Sequence, residues 1–107
     1  MTEAKIRALA LEKIRKEKGV PWFPKKVKWH ETDAWGVFDI LIIYPPSNFV
    51  PIQITSRSNM SARKKKILNF FNKFKISIYC EVWGWDKKIK EFKIQHIYER
   101  EKQKTRQ

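Results

Sequence analysis

The stretch FDILIIYPPSNFVPIQITSRSN, residues 38–59, decides how this chain folds. Residues 40–44 and 50–54 are rich in β-branched and aromatic side chains, and Pro45, Pro46, Ser47 and Asn48 between them break regular structure. Two adjacent antiparallel strands are expected. Side chains alternate across a strand, which puts Asp39, Leu41 and Ile43 on one face of the first and Gln53 and Thr55 on one face of the second. With the turn centred on Pro46, Asp39 falls opposite Gln53, and directly paired residues have Cβ atoms only about 5 Å apart. Two oxygen-bearing side chains at that spacing can hold one ion, so they are expected to converge on one solvent-open spot. A register shifted by one residue sends one of them to the other face.

Downstream, SARKKKILNFFNKF (residues 61–74) places Ile67, Phe70, Phe71 and Phe74 at i, i+3, i+4 and i+7, the apolar stripe of a helix, with Ser61 as its N-cap. At 100° per residue, Arg63 and Lys64 share the sheet-facing side at the first turn, beside Thr55, where two cations and free backbone N–H groups can hold a phosphate. Lys65 and Lys66 point outward and add general positive charge. Residues 76–86 and 91–99 read as two further strands joined around residues 86–90. Upstream, Thr2 caps a helix carrying Ile6, Leu9, Ala10, Leu11 and Ile14, which Gly19 and Pro21 end. Residues 27–43 then suggest a strand, a break near residues 33–36, and a second strand. Pro51 must sit at a strand end or turn its nitrogen away from a ladder. The order is α-β-β-β-α-β-β, an α/β domain with a mixed central sheet.

With 107 residues the chain is expected to form one domain over residues 1–99, and the charged residues 100–107 carry too little apolar content to order. One cysteine, Cys80, excludes an intramolecular disulfide or a multi-cysteine zinc site and fits a reducing, cytoplasmic setting. No apolar run approaches the roughly 20 residues that span a bilayer, and a membrane partner is not expected. The 24 basic against 11 acidic residues leave a net charge of +13, the electrostatic footprint of a nucleic-acid binder, with DNA the expected partner. Most of the five tryptophans are needed for packing; an exposed one can stack on bases or on a second copy in a homodimer. His30 and His96 lack any spacing that suggests zinc.

The order of elements, with GVFDILII entering a hairpin into IQIT and then a basic helix, resembles the PD-(D/E)xK, restriction-endonuclease-like nuclease superfamily, in particular its small Holliday-junction-resolvase-like branch. The resemblance implies a Mg²⁺ (or Mn²⁺) dependent nuclease that hydrolyses DNA phosphodiester bonds. Asp39 stands at the first metal-binding position, Gln53 at the acidic position of the third strand, and Thr55 where a lysine assists the attacking water. The motif is thus QxT in place of (D/E)xK. Glu31 or Asp33 can supply a replacement carboxylate, the first helix offers Glu3 or Glu12, and Arg57, Arg63, Lys64, Lys65 and Lys66 are the expected nucleic-acid contacts. A non-catalytic nucleic-acid-binding domain of the same fold is the alternative.

Overall fold

The computed structural model describes residues 2–24 and 34–97. Their elements run α1 (Glu3–Lys16), β1 (Val20–Trp22), β2 (Ile40–Tyr44), β3 (Asn48–Ser56), a 3-10 turn (Arg57–Asn59), α2 (Met60–Phe74), β4 (Cys80–Asp86) and β5 (Glu91–Ile97). The five strands form one sheet in chain order, antiparallel except for the parallel pair β3–β4. Parallel neighbours need a crossover connection, and the 3-10 turn and α2 supply it.

Strand parity sorts the core into two layers. Ile40 and Ile42 of β2 and Val50, Ile52 and Ile54 of β3 project to one face and pack with Ala10 and Ile14 of α1 and with Trp83. On the other face, Ile67 and Phe71 of α2 pack with Val37, Phe38, Cys80, Val82 and Ile97. Gln53 and Thr55 belong by parity to the α2 side. Because β3 has a neighbour on each edge and a helix on each face, its residues 50–55 are all buried, so any polar side chain there needs a protein partner.

The hairpin has the expected register: Ile40 pairs with Ile52 and Tyr44 with Asn48, which centres the turn on Pro46. Ile54 N–H faces β2, so by alternation the Pro51 nitrogen faces the β4 side, one residue before that ladder opens at Ile52–Glu81. No ladder bond is lost there. Thr2 caps α1 as expected, accepting from the Lys5 N–H at 3.2 Å.

Four local expectations change, the simplest being that β4 begins at Cys80 and leaves residues 76–79 of the expected strand outside it. The first strand is Val20–Trp22, where the sequence suggested only the end of a helix; on the sheet edge Pro21 needs no second ladder partner. At the end of α1, Lys18 takes the left-handed conformation (φ 67°). Gly19 serves close approach instead: a Cβ there would stand 2.8 Å from Ile14 Cγ2 and Tyr44 Cε1. The N-cap position of α2 is Asn59, two residues before Ser61, and its side chain makes no capping hydrogen bond. The strand expected within residues 27–33, and the tail 100–107, lie outside the described residues.

Candidate nucleic-acid interface

The β2–β3 ladder ends just where the polar residues begin. Continuing its register by one residue sets Asp39 beside Gln53, on the α2 face, as the hairpin reading expected. By the same register Ile54 N–H would look for the Phe38 carbonyl, but that carbonyl already accepts from Ala34 N–H at 2.9 Å. The Asp39 carboxylate fills the vacancy: Oδ2 accepts from Ile54 N–H at 2.7 Å, while Asp39's own amide donates to the Ile52 carbonyl at 2.9 Å. Asp39 therefore caps the ladder from a half-buried position. A charge-assisted bond of this kind is about twice as strong as a neutral one.

Gln53 has no exposed surface. Its amide is held at both ends: Nε2 donates to the Val37 carbonyl, and Oε1 accepts from the Arg63 guanidinium of α2 at 3.0 Å. The solvent-open spot expected at Gln53 is closed, because α2 lays Arg63 across it. Thr55 is also buried and lines a small cavity of about 170 Å³ with Glu3, Ile6, Ser56, Asn59 and Arg63. The carboxylate that α1 brings to this cavity is Glu3. Glu12, expected as a replacement ligand, lies 3.9 Å from Lys16 Nζ and lines a different cavity with Lys13 and Glu17. Helical phase explains the difference: α1 buries Ile6, Ala10 and Ile14, and Glu3 sits beneath Ile6 at the end of that stripe.

These donors do not fit a Mg²⁺ or Mn²⁺ ion. Hard cations favour several charged oxygens, whereas the Gln53 carbonyl faces a fixed guanidinium and the Asp39 Oδ2 accepts a backbone N–H. Among the described residues no three His, Cys, Asp or Glu side chains form a metal-sized group. Glu31 and Asp33 lie outside the described residues.

Of the expected cations, Arg63 reaches Gln53 of β3 and Arg57 directly follows that strand. Arg63 and Lys64 are half-buried on the sheet-facing side of α2, and Arg57, Lys65 and Lys66 are exposed. Sequence reasoning missed Lys87 and Lys88 in the β4–β5 turn, which line a larger cleft with Arg57. The signal was present in WDKKIK, two cations directly after a strand, but their neighbours depend on which strand β4 pairs with. By its sequence Asp86 is only the junction of a strand and a turn. It is buried, accepts from Arg57 Nη1 and from Lys88 N–H, each at 3.0 Å, and is held below the usual carboxylate range. The Lys88 N–H is the main cause; desolvation opposes it, and Ile89 N–H, Arg57 and Lys93 reinforce it.

Trp83 is buried against α1, with Trp85 half-buried on the same face of β4, whereas Trp22 and Trp35 are 55% and 60% exposed and available for stacking. His96 Nδ1 lies 2.6 Å from the Tyr79 hydroxyl and 3.4 Å from Glu81, a local polar cluster with no zinc-like grouping among the described residues. No helix among the described residues is long and apolar enough to cross a membrane. No protein-family model, curated protein or solved structure matches the chain.

Proposed function

We propose that this chain is a non-catalytic nucleic-acid-binding domain, which grips the phosphate backbone from the end of its sheet and has a nuclease-like arrangement of strands and helices. The observation that carries the reading is the Arg63 guanidinium fixed on the buried Gln53 carbonyl. It places a permanent positive charge where a metal-dependent nuclease needs ligands that attract a cation. The net charge of +13 supports the same reading, as does the mixed sheet flanked by α1 and α2, with its parallel β3–β4 pair.

A second reading, a metal-dependent nuclease acting on DNA, draws support from the register that sets Asp39 beside Gln53. One experiment separates the two. Fluorescence anisotropy with labelled single-stranded, duplex and junction DNA, and with RNA, is expected to show affinity that falls steeply as salt rises, because phosphate contacts release condensed counterions. The same substrates incubated with Mg²⁺ or Mn²⁺ are expected to stay intact. Arg63→Ala with Lys64→Ala should weaken binding. Salt-insensitive binding, or none at low salt, refutes nucleic-acid recognition. Metal-dependent cleavage that Asp39→Asn abolishes, with affinity retained, selects the nuclease.

A further inference from the structure

The parallel pairing of β3 and β4 has a geometric consequence at its carboxyl end. Ser56 pairs with Trp85, so the two chains leave the sheet side by side and in the same direction. The segments that follow, the 3-10 turn and the β4–β5 turn, enclose a cleft of about 610 Å³ lined by Arg57, Ser58, Trp85, Lys87 and Lys88, within the size range of ligand sites. Carboxyl ends of strands in α/β sheets, beside a crossover, are where such folds place ligands.

The cleft is organised by two further features. Gly84 in β4 lets the 3-10 turn lie directly on the strand, since a Cβ there would stand 3.0 Å from the Arg57 Cα and collide with the Met60 side chain. Asp86, buried and ionised, takes one guanidinium nitrogen of Arg57 and the Lys88 backbone N–H, tying the two turns together. Arg57 is thereby aimed while its side chain stays 57% exposed. The three cations outweigh Asp86, the one carboxylate in the cleft wall.

This cleft and the smaller cavity beside Thr55 and Arg63 share Ile6 and Ser56 in their walls. A chain of phosphates crossing the end of the parallel pair would pass from one to the other. We infer that Arg57, Lys87 and Lys88 form a second phosphodiester-binding subsite, continuous with the Arg63 side, so that the protein holds a nucleic-acid strand at two points across the β3–β4 end. The inference rests on the nucleic-acid reading above. A nucleic-acid strand is favoured over an acidic peptide because Trp85 and Ile6 add flat and apolar wall for a base or sugar next to the cations.

The test measures the salt dependence of affinity for a thymidine oligonucleotide in four proteins: wild type, Lys87→Gln/Lys88→Gln, Asp86→Asn, and Lys73→Gln/Lys75→Gln as a control removing equal charge from the far end of α2. The Lys87/Lys88 pair should make the fall of log affinity with log salt shallower by about 1.4, two contacts at roughly 0.7 each on a single strand, and the control should leave it unchanged. Asp86→Asn should weaken binding severalfold even though it makes the protein more positive, because Arg57 loses its anchor. Thermal melting and circular dichroism check that each variant is folded. If Asp86→Asn does not fold, the two lysine pairs decide, since all four side chains are exposed. Equal slopes for the two lysine pairs overturn the subsite while leaving nucleic-acid binding in place, as does tighter binding by folded Asp86→Asn. Polyglutamate competing as well as the oligonucleotide, charge for charge, overturns the phosphodiester assignment. No binding by wild type overturns this inference and the proposed function together.

Discussion

Replacing Arg63 by methionine keeps much of its apolar stem against the sheet and removes only the guanidinium that Gln53 Oε1 accepts from at 3.0 Å. Gln53 is fully buried, so water cannot replace the lost donor without opening the packing of α2 on β3. A hydrogen bond to a charged group contributes about 1.5–3 kcal/mol net, and a buried acceptor left unpaired costs about 1–3 kcal/mol. We therefore expect Arg63→Met to cost about 2 kcal/mol. For a domain of this size, about 1 kcal/mol corresponds to 4–8 °C, which makes the expected fall in Tm about 8–16 °C. Gln53→Met also destabilises the protein, since it strips the Val37 carbonyl of its donor. In the Gln53→Met background, however, Arg63→Met should cost much less, because the acceptor it would have orphaned is gone. Urea denaturation of the four proteins in this cycle gives the coupling directly, expected at about 1 kcal/mol or more with m unchanged. Strict additivity, to within about 0.5 kcal/mol, refutes the claim that Arg63 is structurally committed to Gln53. The assignment of a fixed positive charge at the site would fall with it.

Burial, reinforced by the neighbouring Glu81 charge, pushes the Cys80 thiol up to about 12. The native protein at pH 8 should therefore resist iodoacetamide and react promptly once unfolded in urea, as followed by mass spectrometry; rapid alkylation of the native state would show that Cys80 is not in the α2-side core. Asp86 has a folded pKa below its unfolded value of about 3.9, so its contribution to stability is present above that value and lost as pH falls through the folded one. Urea titrations across the acid limb should accordingly show a steeper loss for wild type than for Asp86→Asn, and identical slopes would mean the carboxylate is not held by Arg57 and Lys88.

What the sequence determined by itself was the local order. The Pro45–Asn48 break and the two β-branched runs beside it set a hairpin centred on Pro46, and that register placed Asp39 next to Gln53. The 3.6-residue recurrence of Ile67, Phe70 and Phe71 set the buried side of α2, and with it the sheet-facing position of Arg63, while Phe74, the last of that series, stays 55% exposed. These features depend on neighbours a few residues apart, for which periodicity and turn chemistry are sufficient. Tertiary structure alone decided the partners. It brought Val20–Trp22 to the sheet edge as the first strand, chose Glu3 over Glu12 to face Thr55, and closed Gln53 between the Val37 carbonyl and Arg63. It turned Asp39 into the cap of Ile54 N–H, because Ala34 had already taken the Phe38 carbonyl. Above all, it joined Arg57 to Asp86, Lys87 and Lys88, about thirty positions away in the chain, through the parallel pairing of β3 with β4. No local pattern encodes that proximity; it exists only when both strands are buried against the same two helices and their carboxyl ends emerge together.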